Sequence, residues 1–479
     1  MKKLLLFLLF IGLIMLLGCG DRDVDNVINI YTLNDFHGAI LSEGKAPGFS
    51  RIGNYLLNEK ENNPQGTIIL SAGDMFQGTY VSTTSRGRIV VEGMNLIGFD
   101  AMTIGNHEFD WGSGTVSVYQ DGKSINGEAE FPFLGANIVL KENGKLDSWI
   151  KPYTVIKRQG LKIGIIGIIG SDLSNSILAS MIKDYEFLDE LETIKQYTRI
   201  LRTEKDCDIV IVSAHADTSS IDRQIAALED EYYVDAVLNG HTHRYYAKEI
   251  QSNRSVVLPV VQSGNNGLYI GHIALEIDTR TKKVIDASAE NISASEYKTQ
   301  NTKIDSFLET HDDIIQEAKT VIGPAGTYVS HDDAAVWAAN VLRSFGNADL
   351  GIINDGGIRN DAFPITKGTI ITYDHIFRIL PFDNRIVVVK VRGSALKSLE
   401  MMNHSLVFSS NYNSSLSIDG REIIDNELYT IATVDYVFEK DYYPFLNGQD
   451  AIYTTVILRD TLIEKAEVSV QANGKWYLE

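Results

Sequence analysis

The segment GNHEFDWG, from Gly105 to Gly112, begins where an apolar run, FDAMTI, ends. It places Asn106 beside His107, with Asp110 three residues after the histidine. These residues suit neither a strand nor a tight turn. In α/β sheets, sites form beyond the carboxyl ends of the strands. The segment therefore predicts functional side chains at the end of a strand.

Four more apolar runs end in the same kind of polar cluster. They are VINIYTL before NDFHG (34–38), GTIILSA before GD (73–74), CDIVIVSA before HAD (215–217) and VDAVLN before GHTH (240–243). Between them lie segments such as ETIKQYTRILRTEK, whose apolar residues recur at the three- and four-residue spacing of helices. Continuous apolar strands suit a sheet that helices cover on both faces. We therefore expect an α/β fold in which the five polar clusters meet at one edge.

The polar clusters contain seven candidate metal ligands. They are Asp35, His37, Asp74, Asn106, His215, His241 and His243. Imidazole together with carboxylate suits Zn²⁺, Mn²⁺ or iron, whereas oxygen ligands alone would suit Ca²⁺ or Mg²⁺. Seven ligands exceed the four of a structural zinc site. Two ions that share one carboxylate therefore fit the pattern better than one ion.

The motifs LNDFHG, SAGD, GNHEFDWG, SAHAD and NGHTH resemble, in order and spacing, those of the calcineurin-like metallophosphoesterases. The chain is most similar to their secreted 5′-nucleotidase and UDP-sugar hydrolase family. The resemblance implies an α/β fold, α+β overall. Its first domain would be a four-layer β-sandwich flanked by helices, followed by a second, smaller α/β C-terminal domain.

The resemblance also implies roles for the polar residues. One divalent ion, Zn²⁺ or Mn²⁺, would be held by Asp35, His37, Asp74 and His243. The second would be held by Asp74, Asn106, His215 and His241, so that Asp74 bridges the two ions. His107 would face the substrate phosphate as a catalytic residue, and Asp110 would hold its imidazole charged and in one tautomer.

The second half of the chain resembles the same family more weakly. NDGGIR (354–359) is similar to its substrate-binding motif, and LPFDN (380–384) is similar to its PFGN. Aligning DYYP (441–444) with the family's DGYP adds two further positions, Asp441 and, a few residues before it, Tyr436. The substrate-binding residues implied in this way are Asn354, Arg359, Phe382, Asn384, Tyr436 and Asp441. The alternative for Phe382 is a core residue.

Two departures from the family pattern concern the substrate. The family carries arginines on a helix early in the second domain, whereas VSHDDAAVWAANVL contains none. Its glycine-rich GGDG turn reads EKDYYP here. Both departures leave the metal chemistry unchanged and leave the identity of the substrate open.

Length and charge limit the classes of function. A chain of 479 residues is long enough for two domains. We expect a phosphoesterase domain over residues 27–299, a linker helix over 300–322 and a substrate-binding domain over 323–479. The helical pattern of that linker runs from Lys303 to Ile322 and ends at Gly323-Pro324.

The net charge of −20 argues against a nucleic-acid polymer as partner.

The first nineteen residues have the layout of an export signal. Lys2 and Lys3 precede an uncharged run from Leu4 to Leu17, which is shorter than a membrane-spanning helix. The sequence MLLGC resembles the lipobox of bacterial lipoproteins, which implies cleavage before Cys19 and lipidation of that residue. An uncleaved N-terminal anchor is the alternative. Either interpretation predicts an extracytoplasmic protein on the membrane, on the periplasmic or cell-surface side.

Taken together, these patterns predict an exported enzyme that acts on a nucleotide or another small phosphate ester. The resemblance implies hydrolysis of phosphate monoesters, above all nucleoside 5′-monophosphates, by a metal-bound hydroxide. A cyclic-nucleotide phosphodiesterase and a nucleotide-sugar pyrophosphatase are the alternatives, since the same centre cleaves diesters. A nucleotide-binding lipoprotein without catalysis is a third. The complete ligand set, with His107 and Asp110 present, favours an enzyme.

Overall fold

A computed structural model describes residues 26–401 and 406–478 of the chain. The export signal and the proposed lipidation site, Cys19, lie outside these residues. Across the described ranges, no helix combines the length and the apolar character that a membrane crossing requires.

The N-terminal domain consists of fourteen strands and six helices among the described residues. Its strands are β1 Val27–Leu33, β2 Thr67–Ser71, β3 Ala101–Thr103, β4 Phe133–Leu134, β5 Ile138–Leu140, β6 Tyr153–Arg158, β7 Leu161–Ile169, β8 Tyr185–Phe187, β9 Ile209–His215, β10 Ala236–Asn239, β11 Tyr245–Ile250, β12 Leu258–Ser263, β13 Tyr269–Asp278 and β14 Lys283–Ser293. Its helices are α1 Gly48–Asn62, α2 Tyr80–Thr84, α3 Arg88–Ile97, α4 Ser113–Val116, α5 Glu190–Thr203 and α6 Asp222–Ala226.

Two six-stranded sheets form the centre of this domain. Their strand orders are β14-β13-β1-β2-β3-β4 and β11-β12-β10-β9-β7-β6. Strands β1 to β4 are parallel to one another, as are β7, β9, β10 and β12. In the first sheet β13 pairs antiparallel with both β1 and β14, and in the second sheet the edge strands β6 and β11 pair antiparallel with their neighbours. The carboxyl ends of the five strands that carry the polar clusters therefore lie together.

The layers confirm the four-layer sandwich that the resemblance implies. A buried cluster between the sheets takes side chains from both, including Ile30, Leu70, Ile211 and Leu238. Helices α1 and α3 pack on the outer face of the first sheet, and α5 packs on that of the second. The expectation of helices on both faces of one sheet is wrong. A continuous apolar strand is buried on both faces, but its pattern does not tell whether a helix or a second sheet covers each face.

The C-terminal part of the chain forms a second, smaller domain with its own core. Its elements, after α7 Thr302–Glu309 and α8 Asp312–Ala318, are β15 Val321–Pro324, α9 His331–Phe345, β16 Leu350–Asn354, β17 Ile370–Thr372, α10 Tyr373–Ile379, β18 Arg385–Arg392, α11 Gly393–Met401, β19 Leu406–Phe408, β20 Tyr412–Asn413, β21 Ser417–Ile418, β22 Arg421–Glu422, β23 Leu428–Val434, α12 Asp435–Phe438, β24 Gln449–Ile457 and α13 Leu458–Asn473. The main sheet has the order β19-β16-β23-β18-β24, and the core includes Trp337 and Trp476.

The segment that joins the domains differs from the single helix predicted for residues 303–322. Helices α7 and α8 are separated because His311 leaves the helical conformation, at φ −114° and ψ 23°. Its ring contacts Phe307, and its Nε2 atom lies 3.2 Å from a carboxylate oxygen of Glu92. The end of the predicted helix is instead strand β15, which pairs with β17. The contacts of His311 with Glu92 and of β15 with β17 are tertiary, so the local sequence pattern does not show them.

Candidate active site

The predicted metal ligands lie in two adjacent groups at the carboxyl ends of the strands. Asp35, His37 and His243 form the first group, and Asp74, His215 and His241 form the second, with potential ligand atoms within 4.8 Å of one another in each. The Nε2 atoms of His37 and His243 are 2.9 Å apart. The two sheets therefore bring together residues that are up to 208 positions apart in the chain.

Asn106 belongs to the second group. Its Oδ1 atom lies 3.2 Å from Nε2 of His215 and 3.1 Å from Nδ1 of His241. Nε2 of His215 also lies 3.0 Å from a carboxylate oxygen of Asp74. An amide oxygen, a carboxylate and two imidazoles thus converge on one small volume.

The backbone is strained where these side chains are presented. Five of the predicted ligands have a left-handed backbone, with φ between 49° and 74°: Asp35, His37, Asp74, His241 and His243. This region is costly for residues other than glycine, and such residues concentrate at functional sites. The strained turns direct the ligand side chains of the strand ends toward a common centre.

The hydrogen bonds of the histidines suit metal binding. Nδ1 of His37 lies 3.0 Å from the carbonyl oxygen of Gln77, and Nδ1 of His215 lies 2.8 Å from that of Ala72. A carbonyl only accepts, so each ring donates its proton at Nδ1 and turns its Nε2 atom toward the centre. Burial opposes a charge on His215, but Asp74 raises its pKa to about 9, so a metal would displace the proton at Nε2. Burial, and next to it Arg359, holds the pKa of His37 well below its usual value. Burial likewise lowers the pKa of His243 to about 4.

The two carboxylates lack a cationic partner of the lysine or arginine type. Asp35 and Asp74 are buried, and within the described part of the chain their salt-bridge partners are histidines alone. Burial raises the pKa of Asp35 to about 7. Because buried carboxylates require nearby positive charge, this donor set fits two divalent cations.

His107 and Asp110 form a hydrogen-bonded pair beside the ligands. Nδ1 of the imidazole donates to Oδ2 of Asp110 over 2.7 Å, while its Nε2 lies 3.9 Å from a carboxylate oxygen of Asp74. Burial opposes a charge on His107, but Asp110 and Asp74 outweigh it and raise its pKa above the usual value. The pair can therefore supply a proton or a positive charge at the Nε2 atom.

Glu108 supports this arrangement, and sequence reasoning did not identify it. Its fully buried carboxylate accepts the backbone N–H groups of Asp74, Met75 and Gly105 at 2.7–3.0 Å. It therefore ties the loop after β2 to the loop after β3. The only sequence signal was its place between the two catalytic candidates.

A cavity of about 540 Å³ opens from this centre and is shared by both domains. From the phosphoesterase side it is lined by Asn106, His107, Asp110 and His241, and from the C-terminal side by the predicted substrate residues Asn354, Arg359, Phe382, Asn384 and Tyr436. The rings of His107 and Phe382 are 5.7 Å apart between centroids. Nη2 of Arg359 lies 3.1 Å from Nε2 of His37.

One predicted substrate residue lies elsewhere, and several cavity residues were missed. Asp441 is exposed and does not line the cavity. The additional lining includes Arg86 and Trp111 of the first domain and Arg385, Glu439 and Tyr453 of the second. The sequence around these residues contains no motif that would identify them, since only the packing of the two domains brings them to one surface.

Models of known families match both domains. Residues 28–245 match the calcineurin-like phosphoesterase family, and residues 325–415 match the 5′-nucleotidase C-terminal domain. The two matched segments include every one of the predicted metal ligands, together with Asn354, Arg359, Phe382 and Asn384 of the second domain.

Curated relatives are similar over most of the chain. The endonuclease YhcR of Bacillus subtilis is 26% identical over 422 residues, which cover 81% of this chain and 34% of that protein. The snake venom 5′-nucleotidase of Crotalus adamanteus is 29% identical over 378 residues, which cover 71% of this chain and 62% of that protein. The chain thus spans less than two thirds of the length of either relative.

A solved structure shares the whole two-domain fold. The 5′-nucleotidase precursor from Thermus thermophilus superimposes with a TM-score of 0.76 at 19% identity, over 92% of this chain and 96% of that one. Fold, ligand geometry and family models agree. The chain belongs to the calcineurin-like phosphoesterases that carry a 5′-nucleotidase C-terminal domain, a family of metal-dependent phosphoric ester hydrolases.

Proposed function

We propose that this protein is an exported hydrolase of phosphate monoesters and that its preferred substrates are nucleoside 5′-monophosphates. The observation that carries the proposal is the shared cavity. It joins His107, Asp110 and the second ligand group to Phe382, Tyr436 and Arg359 of the other domain. A phosphoryl group at the strand ends and a base in the C-terminal domain would occupy the two ends of this cavity.

The chain's own residues would act mainly by positioning and charge, which is what phosphoryl transfer requires. The seven ligands, with Asp74 shared, would hold Zn²⁺ or Mn²⁺ ions. These ions would supply Lewis acidity and would lower the pKa of water to near neutrality. His107 would stabilise the phosphoryl oxygens or protonate the leaving oxygen at its Nε2 atom. Asp110 would keep that imidazole in the required tautomer and charge state. The guanidinium of Arg359, next to the first ligand group, would bind the phosphoryl oxygens.

The base end of the cavity offers two rings and a free acceptor. Phe382 and Tyr436 both line it. The buried Oδ1 atom of Asn354 has no hydrogen-bond partner among the described residues, so it is free to accept from a ribose hydroxyl or a base amino group. We propose that the two rings sandwich the base and that Asn354 and Asn384 make polar contacts.

The experiment that tests this function is an assay of metal-reconstituted protein against a panel of substrates. The panel contains nucleoside monophosphates, cyclic nucleotides, nucleotide sugars and a small aryl phosphate. We expect kcat/KM to be highest for a nucleoside monophosphate. A higher value for cyclic nucleotides or nucleotide sugars would instead support the phosphodiesterase or the pyrophosphatase, and metal binding without turnover would support a binding protein.

The variant Phe382→Ala tests the base site within that assay. Stacking on an aromatic ring contributes about 1–3 kcal/mol per base, so kcat/KM for AMP should fall roughly 10- to 100-fold. A small alkyl phosphate, which has no ring that could stack on Phe382, serves as the internal control. An equal loss for both substrates would mean that Phe382 is a core residue.

We also propose that the protein is anchored outside the cytoplasm through a lipid on Cys19. Two acyl chains suffice for stable attachment, and a lipoprotein cysteine carries at least two. Cys19→Ser should therefore move the protein from the membrane fraction to the soluble fraction. If this variant stays in the membrane pellet with its apolar run intact, the anchor is the uncleaved segment.

A further inference from the structure

The turn that follows Tyr436 binds the other domain. Nζ of Lys440 donates to the carbonyl oxygens of Asn175 at 2.5 Å and of Ile177 at 3.1 Å. The hydroxyl of Tyr436 donates to the same Asn175 oxygen over 3.1 Å. A carboxylate oxygen of Glu439 accepts the backbone N–H of Ser180 over 3.2 Å. One short element of the C-terminal domain thus holds one loop of the phosphoesterase domain.

That loop forms a wall of the shared cavity. Its cavity-lining residues are Ser176, Leu178, Ser180 and Met181. We call residues 175–181 the wall loop. Tyr436 and Glu439 line the cavity next to it, so the contacts across the domain boundary lie directly beside the volume in which a base would bind.

The surroundings of Lys440 are unusual for a lysine side chain. It is only 7% exposed, and no carboxylate lies within salt-bridge distance of its ammonium among the described residues. Its ammonium instead lies 4.4 Å from the ring of Tyr436 and binds the two carbonyl groups. A buried cation is costly unless such partners compensate for lost water. Both the ring and the wall loop are therefore held by one charge.

The residue occurs in the EKDYYP segment, where the family pattern has a glycine-rich turn. Glycines have no side chain that could reach across the domain boundary. The contacts with the wall loop therefore depend on side chains that a glycine-rich turn would not have.

We propose that Lys440 is a positioning residue that holds Tyr436 and the wall loop in place for binding of a base. Its ammonium covers one face of Tyr436 and leaves the other face for a base. Its two hydrogen bonds fix the position of the wall loop beside Tyr436. This inference rests on the proposed function, because it assumes that the cavity binds a nucleoside.

The test compares Lys440→Met with Lys440→Arg and with Lys465→Met, a change of an exposed lysine on helix α13. Methionine keeps the apolar stem and removes the charge and both hydrogen bonds. We expect the dissociation constant of adenosine, measured by calorimetry, to rise about 10-fold, the factor expected when a displaced Tyr436 no longer stacks on the base. Adenosine carries no phosphate, so this measurement does not depend on the metal centre.

In the kinetic arm, Lys440→Met should raise KM for AMP about 10-fold with little change in kcat. The ratio of kcat/KM for AMP to that for a small aryl phosphate should fall by the same factor. Lys440→Arg should recover most of the loss, because guanidinium also donates to two carbonyls and stacks on a ring. Lys465→Met should match the wild type.

Three outcomes would overturn the inference. Adenosine binding within about twofold of wild type in Lys440→Met would show that the contact does not shape the base site. Equal losses for AMP and the aryl phosphate would show that Lys440 supports the fold in general. A wild-type protein that neither binds adenosine nor prefers AMP would refute the proposed function, and the role of Lys440 with it.

Discussion

At the scale of single residues, His107 answers why an asparagine, a histidine and an aspartate stand together after strand β3. Asn106 faces the second ligand group, whereas His107 turns its Nδ1 atom to Asp110. Neighbours in sequence therefore serve different centres. The distinction follows from side-chain direction, and it separates a residue that would hold a metal from one that would act on the substrate.

His107→Ala should leave the metal content near two ions per chain while kcat falls by roughly 10²–10⁴, the range for a positioned acid or electrostatic partner. Metal analysis by mass spectrometry together with steady-state kinetics measures both quantities. Asp110→Asn serves as the graded comparison and should cause a smaller fall, because its carboxylate acts through the imidazole. A variant at His107 that loses metal would identify this residue as a ligand.

At the scale of elements, the ligand groups can form at the strand ends because the loops after these strands approach one another closely. A Cβ atom on Gly105 would lie 2.2 Å from Oδ1 of Asp74 and 2.7 Å from its backbone nitrogen. The loop after β3 can therefore reach the loop after β2 only with glycine at this position. The carboxylate of Glu108 then accepts hydrogen bonds from backbone N–H groups of both loops.

Gly105→Ala should displace the carboxylate of Asp74, so we expect loss of at least one bound ion and of most activity. The matched control is Gly114→Ala, because nothing lies within 4 Å of its Cβ position and its backbone is not left-handed. Metal content and kcat/KM of both variants are the measurements. Full activity of the Gly105 variant would show that the two loops can separate without cost to the site.

At the scale of the whole molecule, the domains meet through polar contacts around Asp383. Its two carboxylate oxygens bind Arg86 of the phosphoesterase domain and Arg459 of its own domain, the latter at 2.6 Å. Burial opposes the charge, but Arg459 and then Arg86 keep the pKa of Asp383 below its usual value. Arg86 is half exposed and Arg459 is buried, so the two ion pairs should differ in strength.

Asp383→Ala should destabilise the protein by about 3–5 kcal/mol, because it leaves the buried guanidinium of Arg459 without its nearest carboxylate. Arg86→Met should cost less than about 1 kcal/mol, as expected of a partly exposed pair. Scanning calorimetry of the C-terminal transition measures the difference. Because Asp383→Ala removes both ion pairs and Arg86→Met removes only one, equal shifts in Tm would mean that the buried pair with Arg459 contributes nothing.

The sequence by itself determined the family and indicated which polar side chains gather at the strand ends. Each cluster follows directly on an apolar strand, and imidazole and carboxylate side chains have the same chemistry wherever the fold carries them. The strand ends could be identified locally, because an apolar run and the polar residues after it are neighbours in the chain. The expected two-sheet sandwich followed from the resemblance and is confirmed by the packing of the two sheets.

Only the tertiary structure decided which partners meet across long separations. The break in the linker at His311, the role of Glu108, and the place of Arg86 and Lys440 beside the cavity all depend on contacts with distant segments. The apolar pattern of a segment indicates which of its residues are buried, but it does not indicate which distant segment covers them. The size and lining of the cavity are set by how the two domains pack, and that packing depends on both folded surfaces rather than on any one motif.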